Sequence, residues 1–308
     1  MNKILKKFFK KIIQRIFDIG LAKQKKNLIE LSNQTIQVSL QSLAINYRYM
    51  LQEGKNLPKF NEVGFKIFSQ TDEDGILHYI FSLIGTHNKQ CFDIAFESPY
   101  GSNTANLICN GGWTGLLVCS SDDRLQNAQT FFEENPHAFL CKPTLAKAWI
   151  TTENINSFLE QHGVTGTIDL FSLDIDGVDY WLWKHLEVIT PRVVVVEYAN
   201  IWNQHTAVTV PYDPFFNRLK FHNDYYGASL AAFVQLGREK GYRLVGCNKL
   251  FFNAFFIKNG IGDDIFPEVS IHDCLPPQSR DNRSEQTVSV AHLPWVNVAK
   301  SNQIHYQE

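Results

Sequence analysis

Residues 168–200 read IDLFSLDIDGVDYWLWKHLEVITPRVVVVEYAN. An apolar run (Leu170, Phe171, Leu173, Ile175) carries Asp174 and Asp176 towards its carboxyl end, and Gly177 breaks it. An amphipathic helix follows, with Tyr180, Leu182, Trp183 and Leu186 available for a buried face. Pro191 then resets the chain into a second buried strand, Val193 to Val196, ending in Glu197, Tyr198 and Asn200. Strand, short helix and strand make a parallel βαβ unit, whose crossover covers one face of a sheet. In open α/β sheets ligands sit beyond the carboxyl ends of the strands, where these acids and this asparagine fall.

The same alternation runs outward in both directions. Upstream lie a strand at Cys91–Phe96, a loop at Ser98–Ser102, a helix at Asn103–Asn110 and a strand at Gly115–Cys119. A helix at Asp122–Glu134, a short strand at Ala138–Cys141 and a helix at Ile155–His162 complete that half. Downstream come a helix at Ser229–Lys240 stopped by Gly241, and strands at Tyr242–Cys247 and Asn253–Ile257. One doubly wound α/β sheet is the simplest architecture for this order. Residues 1–58 read as a basic amphipathic helix plus a second helix, 59–275 as the main domain, and 276–308 as a polar, irregular tail. Ser69 to Gly75 is polar and turn-rich, with Thr71 or Asp72 placed to cap the helix that follows.

Composition narrows the class. The chain has 308 residues, 44% of them hydrophobic, with 23 Phe, 11 Tyr and 6 Trp, ample for a packed core. The net charge is only −2, but nine of the 29 Lys/Arg lie in residues 1–26, so the main domain is acidic. That balance argues against nucleic acid as a partner. The six cysteines form no C-x-x-C pair, which speaks against a zinc site or disulfide scaffold and for a reducing, cytoplasmic compartment. In residues 1–20 apolar pairs (Ile4-Leu5, Phe8-Phe9, Ile12-Ile13, Ile16-Phe17) alternate with Lys6-Lys7 and Lys10-Lys11. The result is a helix with one greasy and one cationic face. It suits an anchor on an anionic membrane surface, or a helix docked on its own domain or a partner.

Three clusters bear chemistry. The first strand-loop-helix is where a Rossmann-like fold binds an adenosine cofactor. Asp93 ends the strand as required, but Ala95 and Glu97 stand where glycines are usual, leaving Gly101. The second strand ends Cys119-Ser120-Ser121-Asp122, so an acid for ribose hydroxyls is missing or displaced to Asp122. The second cluster is Asp174, Asp176, Glu197 and Asn200, oxygen donors suited to Mg²⁺. Alternatively, the two aspartates cap the next helix and Glu197 pairs with Arg192 or Arg243. The third is an aromatic loop, a candidate substrate lid, holding Tyr212, His222, Asp224, Tyr225 and Tyr226, with His222 or Asp224 as a general base. The other reading is a packed aromatic loop. No G-x-S-x-G, Walker loop or H-E-x-x-H occurs.

Taken together these segments resemble the FkbM-like S-adenosylmethionine-dependent methyltransferases, notably a bacterial branch associated with surface glycans. The matching pieces are SQTDEDGILHYIF, Asn103 to Leu107, Gly112 to Leu117, SLDIDGVDYWLWKHL, PRVVVVEYAN, PYDP, YYGASLAAFVQLGREKGYRLVGC and NAFFI, in order over roughly residues 61–260. The resemblance implies a seven-stranded Rossmann-like methyltransferase sheet. It places the cofactor over Asp93 to Asn103, including Ala95 and Gly101, with Asp122 and Asp174 nearby. Asp176 is then a candidate catalytic residue, and Tyr198, Tyr212, Tyr225 and Tyr226 face the substrate. The implied reaction is methyl transfer to an oxygen, a sugar hydroxyl in surface-glycan biosynthesis, and the basic segment 1–20, which the resemblance does not cover, would hold the chain at the inner face of the membrane. The chain departs from the family at Ala95, Ser98-Pro99 and Cys119-Ser120. Those departures leave open a methyltransferase-fold binding or scaffolding protein that has lost cofactor binding.

Overall fold

The computed structural model describes residues 20, 23–24, 31–32, 34–135, 138, 141–276 and 283–299. The basic amphipathic segment 1–20 lies almost wholly outside them, and no described helix is long and apolar enough to cross a membrane. A helix over residues 34–52 (α1) and a single turn, Phe60–Val63 (α2), lead into the main domain. There the alternation expected from sequence appears as α3 (Glu73–Ile84), β1 (Gln90–Ile94), α4 (Ala105–Gly111), β2 (Thr114–Cys119) and α5 (Asp122–Glu134). It continues as β3 (Thr144–Lys147), α6 (Ile155–Gln161), β4 (Gly166–Leu173), α7 (Asp179–His185) and β5 (Ile189–Glu197). After β6 (Val208–Thr209) come α8 (Leu230–Lys240), β7 (Tyr242–Cys247), β8 (Asn253–Lys258), α9 (Arg283–Val290) and β9 (Val296–Asn297).

Seven strands form one sheet in the order β3-β2-β1-β4-β5-β8-β7. Strands β1 to β5 are parallel; β8 runs antiparallel between β5 and β7. This is a Rossmann-like, doubly wound α/β sheet with an antiparallel edge, the seven-stranded form the resemblance implies. The chain order reverses between β1 and β4, so α4 and α7 leave their strands on opposite faces. Ile76, Leu77, Ile80, Ile108 and Phe132 pack on one face. Leu159, Leu182, Trp183, Phe233 and Leu236 pack on the other. Central strands clad on both sides read as unbroken apolar runs, which is why Val193 to Val196 are fully buried. Pro191 is accommodated because β8 pairs with β5 only from Val193 onward, so its missing N–H deprives no β8 carbonyl.

Three expectations are corrected. Of the strand anticipated at Ala138–Cys141, residues 139–140 lie outside the described residues and Ala138 and Cys141 are in no strand, while β3 stands at Thr144–Lys147, just past Pro143. The tail is not irregular throughout: α9 buries Val290, β9 pairs with β6, and Trp295 packs edge-on against Trp202 and Tyr225. The acids of Ser69–Gly75 do not cap α3 as expected, since Asp72 stands at the cap position but makes no side-chain capping bond. Asp74 Oδ2 instead accepts from the backbone N–H of Ile67, Phe68 and Ser69 at 2.6–2.8 Å. Glu73 Oε1 accepts from the amides of Asn248 (2.8 Å) and Asn253 (3.0 Å). These buried carboxylates staple two loops to the start of the helix, which is why they tolerate burial.

Candidate functional site

The carboxyl ends of β1, β4 and β5 open onto a polar cavity of about 480 Å³, at the place where the strand order reverses. Strand β1 ends at Ile94, and Ala95 turns the chain with a φ of 67°. That left-handed conformation is the one glycine adopts freely and alanine does not, so the turn a glycine would make is retained at some strain. Asp93, just before it, is buried and accepts from the hydroxyls of Thr104 (2.6 Å) and Ser102 (3.2 Å). Ser102 Oγ in turn accepts from the N–H of Thr104 and Ala105, tying Asp93 to the first turn of α4. Burial pushes the Asp93 carboxyl up to about 6, against the pull of these hydroxyls. Gly101 and Asn103 also line the cavity, and Asn103 Nδ2 reaches Ser172 Oγ on β4 at 3.3 Å.

At the ends of β4 and β5 stand Asp174, Asp176 and Glu197, each offering a carboxylate oxygen within 4.8 Å of the others. Neighbouring register brings them together, since Leu173 pairs with Val196. Neither alternative reading of these acids holds. The loop before α7 is bound by Asp179, which accepts from Ile175 N and Gly177 N at 2.8 and 2.9 Å. Arg192 pairs with Asp169 and Arg243 with Asp263, so neither meets Glu197. Burial, with the charges of Asp179 and Asp176, pushes Asp174 up to about 8. Burial and Asp174 push Glu197 well above its ordinary value, and its Oε2 is buried with no partner among the described residues. An orphaned carboxylate oxygen in an all-oxygen cluster is a donor set that fits a hard divalent cation.

Arg218, a residue without any motif of its own, completes this wall. It pairs with Asp176 at 2.6 Å and lies over the Tyr226 ring at 5.0 Å. Burial and the nearby charges of Glu197 and Asp176 raise the Tyr226 phenol far above its ordinary value. A second, less polar cavity of about 360 Å³ adjoins the first through Ile94, Ala95, Glu97 and Ile175. Val118, Trp149, Ile150 and Phe216 supply its apolar surface. Trp149 is fixed there by donating from Nε1 to the Pro214 carbonyl at 2.6 Å. Sequence reasoning missed Trp149 and Arg218 because each is brought to the site by a long loop.

Other expected site residues stand elsewhere. Asp122 is exposed and paired with Lys147 at 2.5 Å, on the first turn of α5 and outside both cavities. Asn200 donates to the Phe251 carbonyl at 2.7 Å and does not face the acids. His222 and Asp224 bond to each other at a turn, Asp224 N donating to His222 Nδ1 at 3.1 Å, and neither lines either of these two cavities. Tyr198 is fully buried and donates to the Cys274 carbonyl at 2.6 Å, because strand alternation turns it away from Glu197. Tyr225 is likewise buried, bonded to the Pro294 carbonyl, and Tyr212 donates to Glu153 at 2.6 Å. Of the four tyrosines assigned to substrate, Tyr226 alone reaches the acidic wall.

No family model matches the chain, and no curated protein matches it. Among solved structures it is similar to the O-methyltransferase from Bacillus cereus in complex with SAH, at 11% identity and a TM-score of 0.40, covering 64% of this chain and 83% of that one. It is also similar to the glycopeptide N-methyltransferase MtfA complexed with sinefungin, at 10% identity and a TM-score of 0.39, covering 63% and 88%. A third likeness is to magnesium protoporphyrin IX methyltransferase from Synechocystis with bound SAM, at 11% identity and a TM-score of 0.35, covering 72% and 79%. At this distance the neighbours do not assign an activity.

Proposed function

We propose that the protein is an S-adenosylmethionine-dependent O-methyltransferase of the FkbM-like kind, acting on a sugar hydroxyl of a surface glycan. The observation that carries this reading is the pair of adjoining cavities at the strand-order reversal, one apolar and one polar, joined at the left-handed Ala95 turn. An apolar slot beside Trp149 suits an adenine, and a polar cavity with Asp93 and Asn103 suits an amino-acid end. The cofactor, when bound, supplies an electrophilic methyl on a sulfonium.

The chain's own residues then have two tasks. The Arg218–Asp176 pair, with Arg218 resting on the Tyr226 ring, closes the side of the cavity where an acceptor hydroxyl must stand, and holds it in line. Asp176 accepts the hydroxyl proton as the new C–O bond forms. Were Asp174, Asp176 and Glu197 to hold Mg²⁺ instead, the ion would supply the lowering of the hydroxyl pKa in place of Asp176 acting as base. Residues 1–20 hold the enzyme at the anionic inner face of the membrane, where lipid-linked glycans are accessible. Liposome flotation of the full chain against a chain starting at Asn27 tests this, and equal flotation removes the anchor.

The test of the activity is transfer of a labelled methyl from S-adenosylmethionine to a panel of glycosides. Transfer that is lost in Asp176→Asn is the expected result. Cofactor binding with no transfer to any acceptor would favour the competing reading, a binding or scaffolding protein on a methyltransferase fold. The absence of an acid at Cys119-Ser120 favours that alternative.

A further inference from the structure

The end of β2 lacks the acid that an adenosine site uses for its ribose. Cys119 is fully buried, Ser121 is spent capping α5 through Arg124 N, and Asp122 is paired with Lys147 outside both cavities. Yet a carboxylate is present nearby. Glu97, on the loop after β1, lines both cavities and is the one carboxylate lining the apolar one among the described residues. Its Oε1 is held by Arg124 Nη1, which also donates to Ser120 Oγ at 2.7 Å. Arg124 thus ties the β1 loop to the end of β2 and fixes Glu97 across the gap. The second oxygen of Glu97 has no protein donor among the described residues.

We infer that Glu97, braced by Arg124 and Ser120, is the acceptor for a vicinal ribose diol, supplied from the loop after β1 instead of the end of β2. The inference deepens the methyltransferase reading and rests on it. A nucleoside with its base beside Trp149 and its polar end beside Asp93 must pass its sugar through the junction that Glu97 lines. A carboxylate there accepts from two adjacent hydroxyls, while the Arg124 charge offsets its own. The side chain is 60% exposed, so its replacement leaves the core untouched.

The experiment is calorimetric titration of the full chain and of Glu97→Gln with S-adenosylhomocysteine and with its 2′,3′-dideoxyribose analogue. Wild type should bind the parent compound roughly ten- to a hundredfold more tightly than the analogue, the loss expected for two unmade hydrogen bonds. Glu97→Gln should lose a similar factor for the parent and little for the analogue, since the two changes remove one interaction. Wild-type binding of the parent with Glu97→Gln within twofold of it overturns this assignment alone. No binding by wild type overturns the methyltransferase reading together with it.

Discussion

Arg218 on the loop after β6 and Asp176 at the end of β4 form an ion pair of 2.6 Å that ties the aromatic loop to the acidic wall of the cavity. Both side chains are partly exposed, 32% and 45%, so the pair contributes about 0.5–1 kcal/mol. Arg218→Met should therefore speed amide hydrogen exchange of residues 213–222 by about two- to fivefold, leaving β4 and β5 unchanged. Exchange unchanged in that loop would mean that its own packing, including the stacked Phe216 and Phe221 rings, holds it without the ion pair.

Ala95 carries a second local consequence. At a φ of 67° an alanine is strained by about 1–2 kcal/mol, and glycine relieves that strain while adding unfolded-chain entropy. Ala95→Gly should raise stability by about 0.5–1 kcal/mol, read as a higher urea midpoint. Ala128→Gly, in the middle of α5, should lower it by about 1 kcal/mol. A destabilised Ala95→Gly would place the turn in a different conformation.

Asp93 links stability to pH. Its carboxyl lies at about 6 in the folded chain and near 3.9 when unfolded, so folding favours the protonated form. That contribution is fully present below about pH 4 and is lost as pH rises through about 6, a change of about 3 kcal/mol. Asn keeps an acceptor oxygen for Thr104 and Ser102 without the charge. Asp93→Asn should match wild type in urea unfolding near pH 4 and exceed it by about 2–3 kcal/mol at pH 7.5. A difference independent of pH would remove Asp93 ionisation as the cause.

The acid cluster makes a prediction about metal. Mn²⁺, which shares the oxygen preference of Mg²⁺ and has an EPR signal, should bind the full chain, and Glu197→Gln should weaken binding at least tenfold. Equal binding by wild type and Glu197→Gln would mean that the orphaned Glu197 oxygen is not a ligand.

Much of the fold was legible because glycine and proline punctuate it and the buried strands are continuous apolar runs. Helix α5 and strand β7 fall at the residues expected, and Ser229 and Gly241 bound α8 as anticipated. The edge strand β3 was missed because Thr144–Lys147 carries little apolar signal and pairs on one side. The three acids were legible because they end two strands of one βαβ unit. Arg218, Trp149 and the Glu97–Arg124 pair were not, since each depends on where a loop folds back. Asp122 was the nearest acid in sequence to the end of β2, but the first turn of α5 carries it to Lys147 instead.

The most direct test of the central claim is calorimetric titration of the full chain with S-adenosylmethionine. The account predicts one site of micromolar affinity, weakened at least tenfold in Trp149→Ala, which strips the apolar cavity of its largest ring. No heat at millimolar cofactor, from protein whose circular dichroism shows it folded, would contradict it.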